Sequence, residues 1–285
     1  MKTSIQLYSM AICPFAQRTR ILLKLKNIPF DLTEMEPTRK MPDWFLRLNP
    51  LGQVPVIQHA GIVLNESSVI NEYLEEVFPS PSIFPASPYR KAICRIAIDY
   101  CNHEFVPQMY RLLMNQARER DGELTENALK TWRWIDDFLR RHNPDGTYLF
   151  DEEGFGMAEL SYGPFFQRYC LNEYYRYFAL PEEPGYLRAI KWCDAVLRHP
   201  AVVATGLSDE AFIKYYHDYS LGYGNGAIPV GHETSSFDPT VPLESRPMPP
   251  RPGRASDRMP RRLAGLAVRL LAEPLVAAVE TVRGQ

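Results

Sequence analysis

The fold is decided by one stretch near the start of the chain, residues 5–26, which reads IQLYSMAICPFAQRTRILLKLK. Its first part, Ile5 to Ser9, has the apolar and aromatic residues typical of a short strand. From Pro14 to Lys26 the apolar residues recur at helical spacing. Because proline favours the first position of a helix, the pattern places Cys13 at the cap of a helix that follows a strand.

Cys13 in that position suits a nucleophile. A sulfur at a helix start faces unpaired backbone N–H groups and the positive end of the helix dipole. Both favour the thiolate, so the sequence predicts a pKa for Cys13 below the value of about 8.5 of a free thiol. The alternative is a buried structural cysteine, since free cysteine packs as a small hydrophobe. The strand, the Cys-Pro pair and the helix together favour the nucleophile.

The elements that follow predict a small mixed sheet covered by helices. Strands are predicted at Phe30 to Glu34, Pro55 to Gln58 and Ile62 to Leu64, with an irregular stretch before the second of them, and a helix at Ser67 to Val77. Four prolines between Phe78 and Pro88 then exclude a helix and predict a linker at 80–88.

Two further motifs in this region suit a peptide ligand. If the Val54-Pro55 bond is cis, Val54 turns its backbone N–H and C=O outward, where a peptide can pair with them as an added strand; the alternative is an ordinary trans proline. Glu66 and Ser67 open a predicted helix, where backbone and hydroxyl suit a carboxylate and Glu66 suits an ammonium group. The alternative is plain helix capping by Ser67.

Composition excludes several classes of function. The formal net charge of −2 gives no strong field for nucleic acid or an anionic membrane. The N-terminus lacks the apolar region of a signal peptide, and the five cysteines include no C-x-x-C pair, so we expect free thiols in a cytoplasmic protein. No Cys/His cluster has the spacing of zinc ligands, so no metal is predicted.

The three motifs, in this order, resemble the glutathione transferase superfamily, and the Cys-Pro-Phe-Ala sequence at 13–16 resembles its omega class. The resemblance implies an α/β thioredoxin-like domain at 1–79 that binds glutathione as cosubstrate, and an all-α substrate domain at 89–222. It also implies a homodimer. Residues 223–285 form a Pro/Arg-rich extension, for which we predict extended chain at 238–253 and a packing helix, rather than a membrane-surface helix, at 261–282.

Site roles follow from the resemblance position by position. It implies that Cys13 is the catalytic thiol and that Phe15 lines its site. Val54, with Pro55, would pair with the cysteinyl backbone of glutathione. The glutathione-binding residues that it implies are Phe15, Lys40, Val54, Pro55, Glu66 and Ser67. One position departs, because omega proteins carry a lysine directly before Pro-x-Trp. Here that place is Met41, and Lys40 lies one step earlier as the candidate partner of the glycyl carboxylate.

A narrower resemblance lies in the C-terminal half. Segments such as Tyr216-His217-Asp218-Tyr219 and Arg246-Pro247-Met248-Pro249-Pro250 resemble the bacterial omega-like glutathione lyases of lignin β-aryl ether degradation. The resemblance implies that an aromatic α-glutathionyl ketone loses its glutathione to Cys13, with a hydroxyl of Tyr216 or Tyr219 donating to the ketone oxygen. A general thioltransferase, a dehydroascorbate or glutathionyl-hydroquinone reductase, and a non-catalytic binding module are the alternatives.

Overall fold

The structure is a computed structural model, and it describes residues 4–37 and 40–252. Its sheet has four strands in the order β2-β1-β3-β4. The strands are β1 Ile5–Ser9, β2 Phe30–Glu34, β3 Val56–His59 and β4 Ile62–Asn65. Strand β1 pairs parallel with β2 and antiparallel with β3, and β3 pairs antiparallel with β4. This arrangement confirms the predicted mixed sheet.

Three helices accompany the sheet: α1 Pro14–Leu25, α2 Asp43–Leu48 and α3 Ser67–Val77. Helix α1 supplies the crossover that two parallel strands require. Sequence analysis missed α2, which it read as irregular, because six residues show little helical periodicity and Pro42 precedes them.

The rest of the described chain is mainly helical, as predicted. Its helices are α4 Pro88–Tyr100, α5 Val106–Leu113, α6 Asp121–His142, α7 Met157–Arg176, α8 Leu187–Arg198, α9 Pro200–Val203, α10 Asp209–Tyr215 and α11 His217–Ser220. A π-helical turn, Cys101–Phe105, joins α4 to α5. It is followed by Pro107, which has no N–H to give to a regular helical bond.

Helix α7 runs through the centre of the helical region. It begins after Gly156, whose N–H donates to Glu159 Oε2 at 3.0 Å. A side chain on Gly156 would lie 2.9 Å from the carbonyl oxygen of Ile83, so this position requires glycine. The buried Glu159 also accepts from the Leu149 N–H and the Trp192 indole, and thereby fixes the start of the helix.

One hydrophobic core runs from the sheet into the helices. It includes Leu7 and Ile57 from the strands, Leu74 from α3, and Trp132 and Phe165 from α6 and α7. The α/β part and the helical part are therefore packed as expected for the predicted fold. The domain limits at residues 79, 88 and 222 stay predictions.

The described part of the C-terminal extension, residues 223–251, is called the strap below. It contains a short 3₁₀ turn, Leu243–Ser245, among turns and irregular chain, so the prediction of extended chain from residue 238 is wrong for 239–246. Its end is held at α7, where the Tyr174 hydroxyl donates to the carbonyl of Pro249 at 2.6 Å. The predicted helix at 261–282 lies outside the described residues. Among residues 4–37 and 40–252, no helix is long and apolar enough to cross a bilayer.

Candidate active site

Cys13 occupies the cap of α1, as the sequence predicts. It has extended backbone angles, its N–H donates to the Met10 carbonyl at 3.0 Å, and Pro14 begins the helix. The side chain is half-buried. The sulfur therefore lies at the open end of the helix, where backbone N–H groups face it.

The predicted lowering of the Cys13 pKa is wrong. Burial raises the pKa of this thiol above its ordinary value. The backbone N–H of Ala16 and the charge of Arg168 lower the pKa, but their combined effect is smaller than that of burial. The thiol also donates to the carbonyl of Val54 at 3.7 Å, a bond that only the protonated sulfur can make.

A cavity of about 820 Å³ opens in front of Cys13, and it brings together every residue that the sequence nominated. The nominated residues that line it are Cys13, Phe15, Lys40, Val54, Pro55, Glu66, Ser67, Tyr216 and Tyr219. The first seven come from the α/β part and the last two from the helical part. Their individual roles stay predictions.

The side of the cavity formed by the α/β part offers the groups that suit a peptide. The Val54–Pro55 bond is cis, the first of the two alternatives that the sequence left open. Glu66 is exposed and has a φ of 67°, a left-handed conformation that residues other than glycine seldom adopt. Glu66, and not Ser67, is the cap of α3, and the buried Ser67 is its first residue. Lys40 lies exposed on the same side as Met41.

Asn49 ties this side of the cavity together. It is buried, its Nδ2 donates to the Gln53 carbonyl at 2.8 Å, and its Oδ1 accepts from Asn65 Nδ2 at 3.2 Å. The loop before Val54 is thus fastened to the end of β4, next to Glu66. Two of the segments expected to hold glutathione are joined by this one side chain.

The two nominated tyrosines lie on the opposite side of the cavity. Tyr216 directly follows α10 and Tyr219 belongs to α11, with ring centres 5.0 Å apart. The Tyr216 hydroxyl accepts from Arg168 Nε at 3.2 Å and donates to the Ile12 carbonyl at 3.3 Å. The Tyr219 hydroxyl donates to Asn225 Oδ1 at 3.1 Å. Burial raises the pKa of Tyr219 to about 12, so the phenol stays protonated.

Sequence reasoning missed two aromatic walls of the cavity. Tyr110, on α5, has its ring centre 5.8 Å from that of Tyr219, and burial raises its pKa well above the ordinary value. Phe237, on the strap, packs 5.8 Å from the rings of both Tyr216 and Tyr219. No local signal separates Tyr110 from the many core tyrosines, and Phe237 lies in a segment without a periodic pattern.

Metal ligands were not predicted, and the described residues contain no group of three or more His, Cys, Asp or Glu side chains arranged to hold an ion. All five cysteines fall within this part of the chain, and none is in a disulfide. Cys13 is the one that lines the cavity.

The chain is similar to proteins of one superfamily. The family model described as "Glutathione S-transferase, N-terminal domain" matches residues 12–77. Glutathione S-transferase omega-1 of Sus scrofa is 30% identical over 202 residues, which are 70% of this chain and 79% of that protein. The omega-1 protein of Mus musculus is 36% identical over 127 residues, 44% of this chain, and the match spans 52% of that protein's length.

Solved structures agree with these relatives. Glutathione transferase Omega 3C from Trametes versicolor is 26% identical, with a TM-score of 0.66 over 77% of this chain and 91% of that chain. The fold is thus that of the glutathione transferases, with a thioredoxin-like sheet domain and a helical region. The chain belongs to the glutathione transferase superfamily, in which it is omega-like.

Proposed function

We propose that this enzyme removes glutathione from an aromatic α-glutathionyl ketone by way of a mixed disulfide between Cys13 and glutathione. The observation that carries the proposal is the composition of one cavity. Cys13, Val54 and Glu66 line one side of it, and the phenols of Tyr110, Tyr216 and Tyr219 line the other. A glutathione thioether held by its peptide part against the first side would direct its aryl ketone towards the tyrosines.

The proposed reaction balances in two steps. The Cys13 thiolate attacks the glutathione sulfur, the S–S bond forms, and the carbon–sulfur bond breaks. Its electron pair leaves on carbon as an enolate, which is then protonated to the free ketone. A second glutathione, as thiolate, attacks the mixed disulfide, releasing glutathione disulfide and restoring the Cys13 thiol. The carbon fragment is reduced and two glutathione molecules are oxidised.

The phenols would stabilise the enolate. Negative charge develops on the ketone oxygen when the carbon–sulfur bond breaks, and a pre-placed hydrogen-bond donor lowers the energy of that state. Tyr110 and Tyr219 are suited to this role because their raised pKa values keep them protonated. Tyr219 must give up its bond to Asn225 in order to donate to a substrate.

A general thioltransferase is the second candidate, and one observation favours it. The hydroxyls of Tyr216 and Tyr219 both have partners inside the protein, which is what a structural role for these phenols would require. Reduction of a small mixed disulfide needs Cys13 and the glutathione side of the cavity but no enolate donor. A homodimer and a cytoplasmic location are expectations from the family resemblance.

A direct comparison of substrates tests the proposal. Purified enzyme is given glutathione with S-phenacylglutathione, or with the mixed disulfide of glutathione and 2-mercaptoethanol. Acetophenone release and mass spectrometry of the Cys13 peptide are followed. We expect ketone release together with a glutathione adduct on Cys13 that a second glutathione removes. Turnover of the disulfide alone would favour the thioltransferase, and an unmodified Cys13 with both substrates would contradict both candidates.

A further inference from the structure

Arg168, on α7, is a fully buried cation behind the active site. Its Nη2 donates to the Ile12 carbonyl at 2.7 Å, and its Nη1 donates to Gln17 Oε1 at 2.9 Å and to the Pro164 carbonyl at 2.6 Å. Its Nε donates to the Tyr216 hydroxyl at 3.2 Å. All four acceptors are neutral oxygens.

No acidic side chain balances this charge. Across residues 4–37 and 40–252, Arg168 forms no ion pair with a carboxylate within 4.0 Å, in contrast to the buried Lys26, which pairs with Glu75. A guanidinium stays protonated in proteins, and a buried charge without a counter-charge destabilises the fold. Such a group would be well compensated by an anion that appears during the reaction.

Two such anions form next to Arg168 in the proposed reaction. One is the thiolate of Cys13, and Arg168 binds the carbonyl of the preceding residue, Ile12. The other is the enolate, which would accept from the Tyr216 hydroxyl that Arg168 also binds. The charge of Arg168 already lowers the pKa values of Cys13 and Tyr110, although burial raises both by more. Arg18, Arg20 and Tyr219 also act on Cys13. Lys40, Glu66, Tyr110 and Tyr216 face the same cavity.

Arg168 also fixes the direction of the Tyr216 hydroxyl. Because the Arg168 N–H uses a lone pair of this oxygen, the phenol must place its own hydrogen elsewhere. At present that hydrogen is directed at the Ile12 carbonyl over 3.3 Å, a long bond to an oxygen that already accepts from Arg168 at 2.7 Å. Turning it to a substrate oxygen would therefore cost little.

We propose that Arg168 is a positioning residue that stabilises the two anions of the reaction, the Cys13 thiolate directly through its buried charge and the enolate through the Tyr216 hydroxyl. The enolate half rests on the proposed function. The thiolate half does not, because it concerns Cys13 before any substrate binds. The rival account is that Arg168 only fastens α1 to α7.

The test compares a neutral and a cationic replacement. Arg168→Gln keeps an amide donor and removes the charge, whereas Arg168→Lys keeps the charge and loses the planar fork. Arg188→Gln is the matched control, because Arg188 is also buried and held by carbonyls, those of Asn143 and Tyr148, and does not line the cavity. The pKa of Cys13 is measured from the pH dependence of iodoacetamide alkylation, with the Cys13 peptide quantified by mass spectrometry and folding checked by circular dichroism.

We expect the pKa of Cys13 to rise by about one unit in Arg168→Gln and to stay close to the wild-type value in Arg168→Lys and Arg188→Gln. We expect Arg168→Lys to lose at least about tenfold in cleavage of S-phenacylglutathione, because lysine places a methylene group where Arg168 Nε donates to Tyr216. A folded Arg168→Gln protein with an unchanged pKa would overturn the thiolate half. Wild-type ketone cleavage in Arg168→Lys would overturn the enolate half, and this variant serves the test even if Arg168→Gln does not fold.

Failure of this proposal can be distinguished from failure of the proposed function. If wild-type enzyme does not cleave the ketone thioether, the proposed function fails and the enolate half fails with it. The alkylation measurement still decides the thiolate half, because it requires no turnover. Equal melting-temperature losses in Arg168→Gln and Arg188→Gln, without any change in the Cys13 pKa, would leave the purely structural account.

Discussion

The thiol of Cys13 donates a hydrogen bond to the backbone carbonyl of Val54, across 3.7 Å. Under the proposed function, that carbonyl is a partner of glutathione. This bond requires the protonated sulfur, and burial, which raises the pKa of Cys13, acts in the same direction. Glutathione paired with Val54 would compete for the acceptor that favours the thiol.

The first prediction is that Cys13 of the glutathione-free enzyme has an alkylation pKa above the value of about 8.5 of a free thiol. Since only the thiolate reacts, alkylation at pH 7 should be slow and should rise steeply above pH 8. Iodoacetamide labelling between pH 6 and 11, resolved by peptide, measures it. A midpoint well below 8.5 would mean that the helix N-terminus outweighs burial.

A second prediction concerns the nucleophile itself. Cys13→Ser should remove nearly all deglutathionylating activity, because serine has no sulfur with which to form the mixed disulfide. Cys170→Ser is the control, since Cys170 is also half-buried but does not line the cavity. Initial rates with the ketone thioether and the small mixed disulfide are compared, with thermal melting as the check on folding. Substantial turnover by the Cys13 variant would reject the mechanism.

Glutathione recognition gives the third prediction. Glu66→Ala should weaken glutathione binding by about 1–2 kcal/mol, less than a desolvated ion pair would lose, because Glu66 is exposed. Lys40→Ala should lose less, given the departure at Met41. Calorimetric titration of glutathione into each variant, made in the Cys13→Ser background, measures both losses.

Glu72→Ala is the control for that titration. Glu72 lies on the same helix, α3, and pairs with Arg95 away from the cavity. Its loss should leave the affinity for glutathione unchanged. If Lys40→Ala has the largest effect of the three, the assignment of the loop around residue 40 is wrong.

The fourth prediction separates the two candidate functions. Tyr110, Tyr216 and Tyr219 are each replaced by phenylalanine. At least one of the three variants should cleave the ketone thioether about 100-fold more slowly, because one donor to the enolate is lost. Reduction of the small mixed disulfide should change far less, since it forms no enolate. Parallel kcat measurements on both substrates decide it. Equal losses on the two substrates at all three positions would indicate that the hydroxyls serve only the core.

The fifth prediction concerns pH and stability. Burial, followed by the charge of Asp209, raises the pKa of Glu173 to about 7. Because the folded state holds this proton more tightly than the unfolded chain, with its pKa of about 4.3, the contribution of Glu173 to stability is complete below pH 4 and declines until about pH 7. The loss amounts to at most about 4 kcal/mol, and to less because solvent screens this half-buried carboxyl group.

Glu173→Gln removes that titration, so the variant should unfold at higher urea than wild type at pH 8 and show a weaker pH dependence between pH 5 and 8. The exposed Glu182→Gln serves as control. Urea unfolding at both pH values gives the two free energies. An equal change in the free energy of unfolding between pH 5 and pH 8 in wild type and Glu173→Gln would show that Glu173 is already ionised at pH 5.

Local signals predicted the α/β part of the site. The strand, the Cys-Pro pair and the helix placed Cys13, and short motifs placed Val54 and Glu66, because each signal lies within a few neighbouring residues. The predicted direction of the Cys13 pKa shift was wrong because the shift depends on burial, which is not a local property. Burial comes from distant chain segments that a local pattern does not contain.

The helical side of the cavity was predictable only through resemblance. Tyr216 and Tyr219 were nominated by matched segments, whereas Tyr110 and Arg168 were not nominated at all. The contact between Arg168 and Ile12 joins residues 156 positions apart, and nothing in either local sequence announces it. The short helix α2 was missed because six residues give too little periodicity to detect.

The strap has a consequence for how this enzyme can acquire new substrates. The residues expected to bind glutathione lie between positions 13 and 67, whereas Asn225, Gly226 and Phe237 of the outer wall belong to a peripheral segment. That segment is held by hydrogen bonds, such as that from the Ser236 N–H to the Asp218 carboxylate at 2.7 Å, and by the packing of Phe237 on Tyr216 and Tyr219. Replacement of residues in the strap would alter the outer wall of the cavity without changing any residue expected to bind glutathione. Mutations in the strap, in evolution or by design, can thus change one wall of the cavity while the sequence of the opposite wall stays the same.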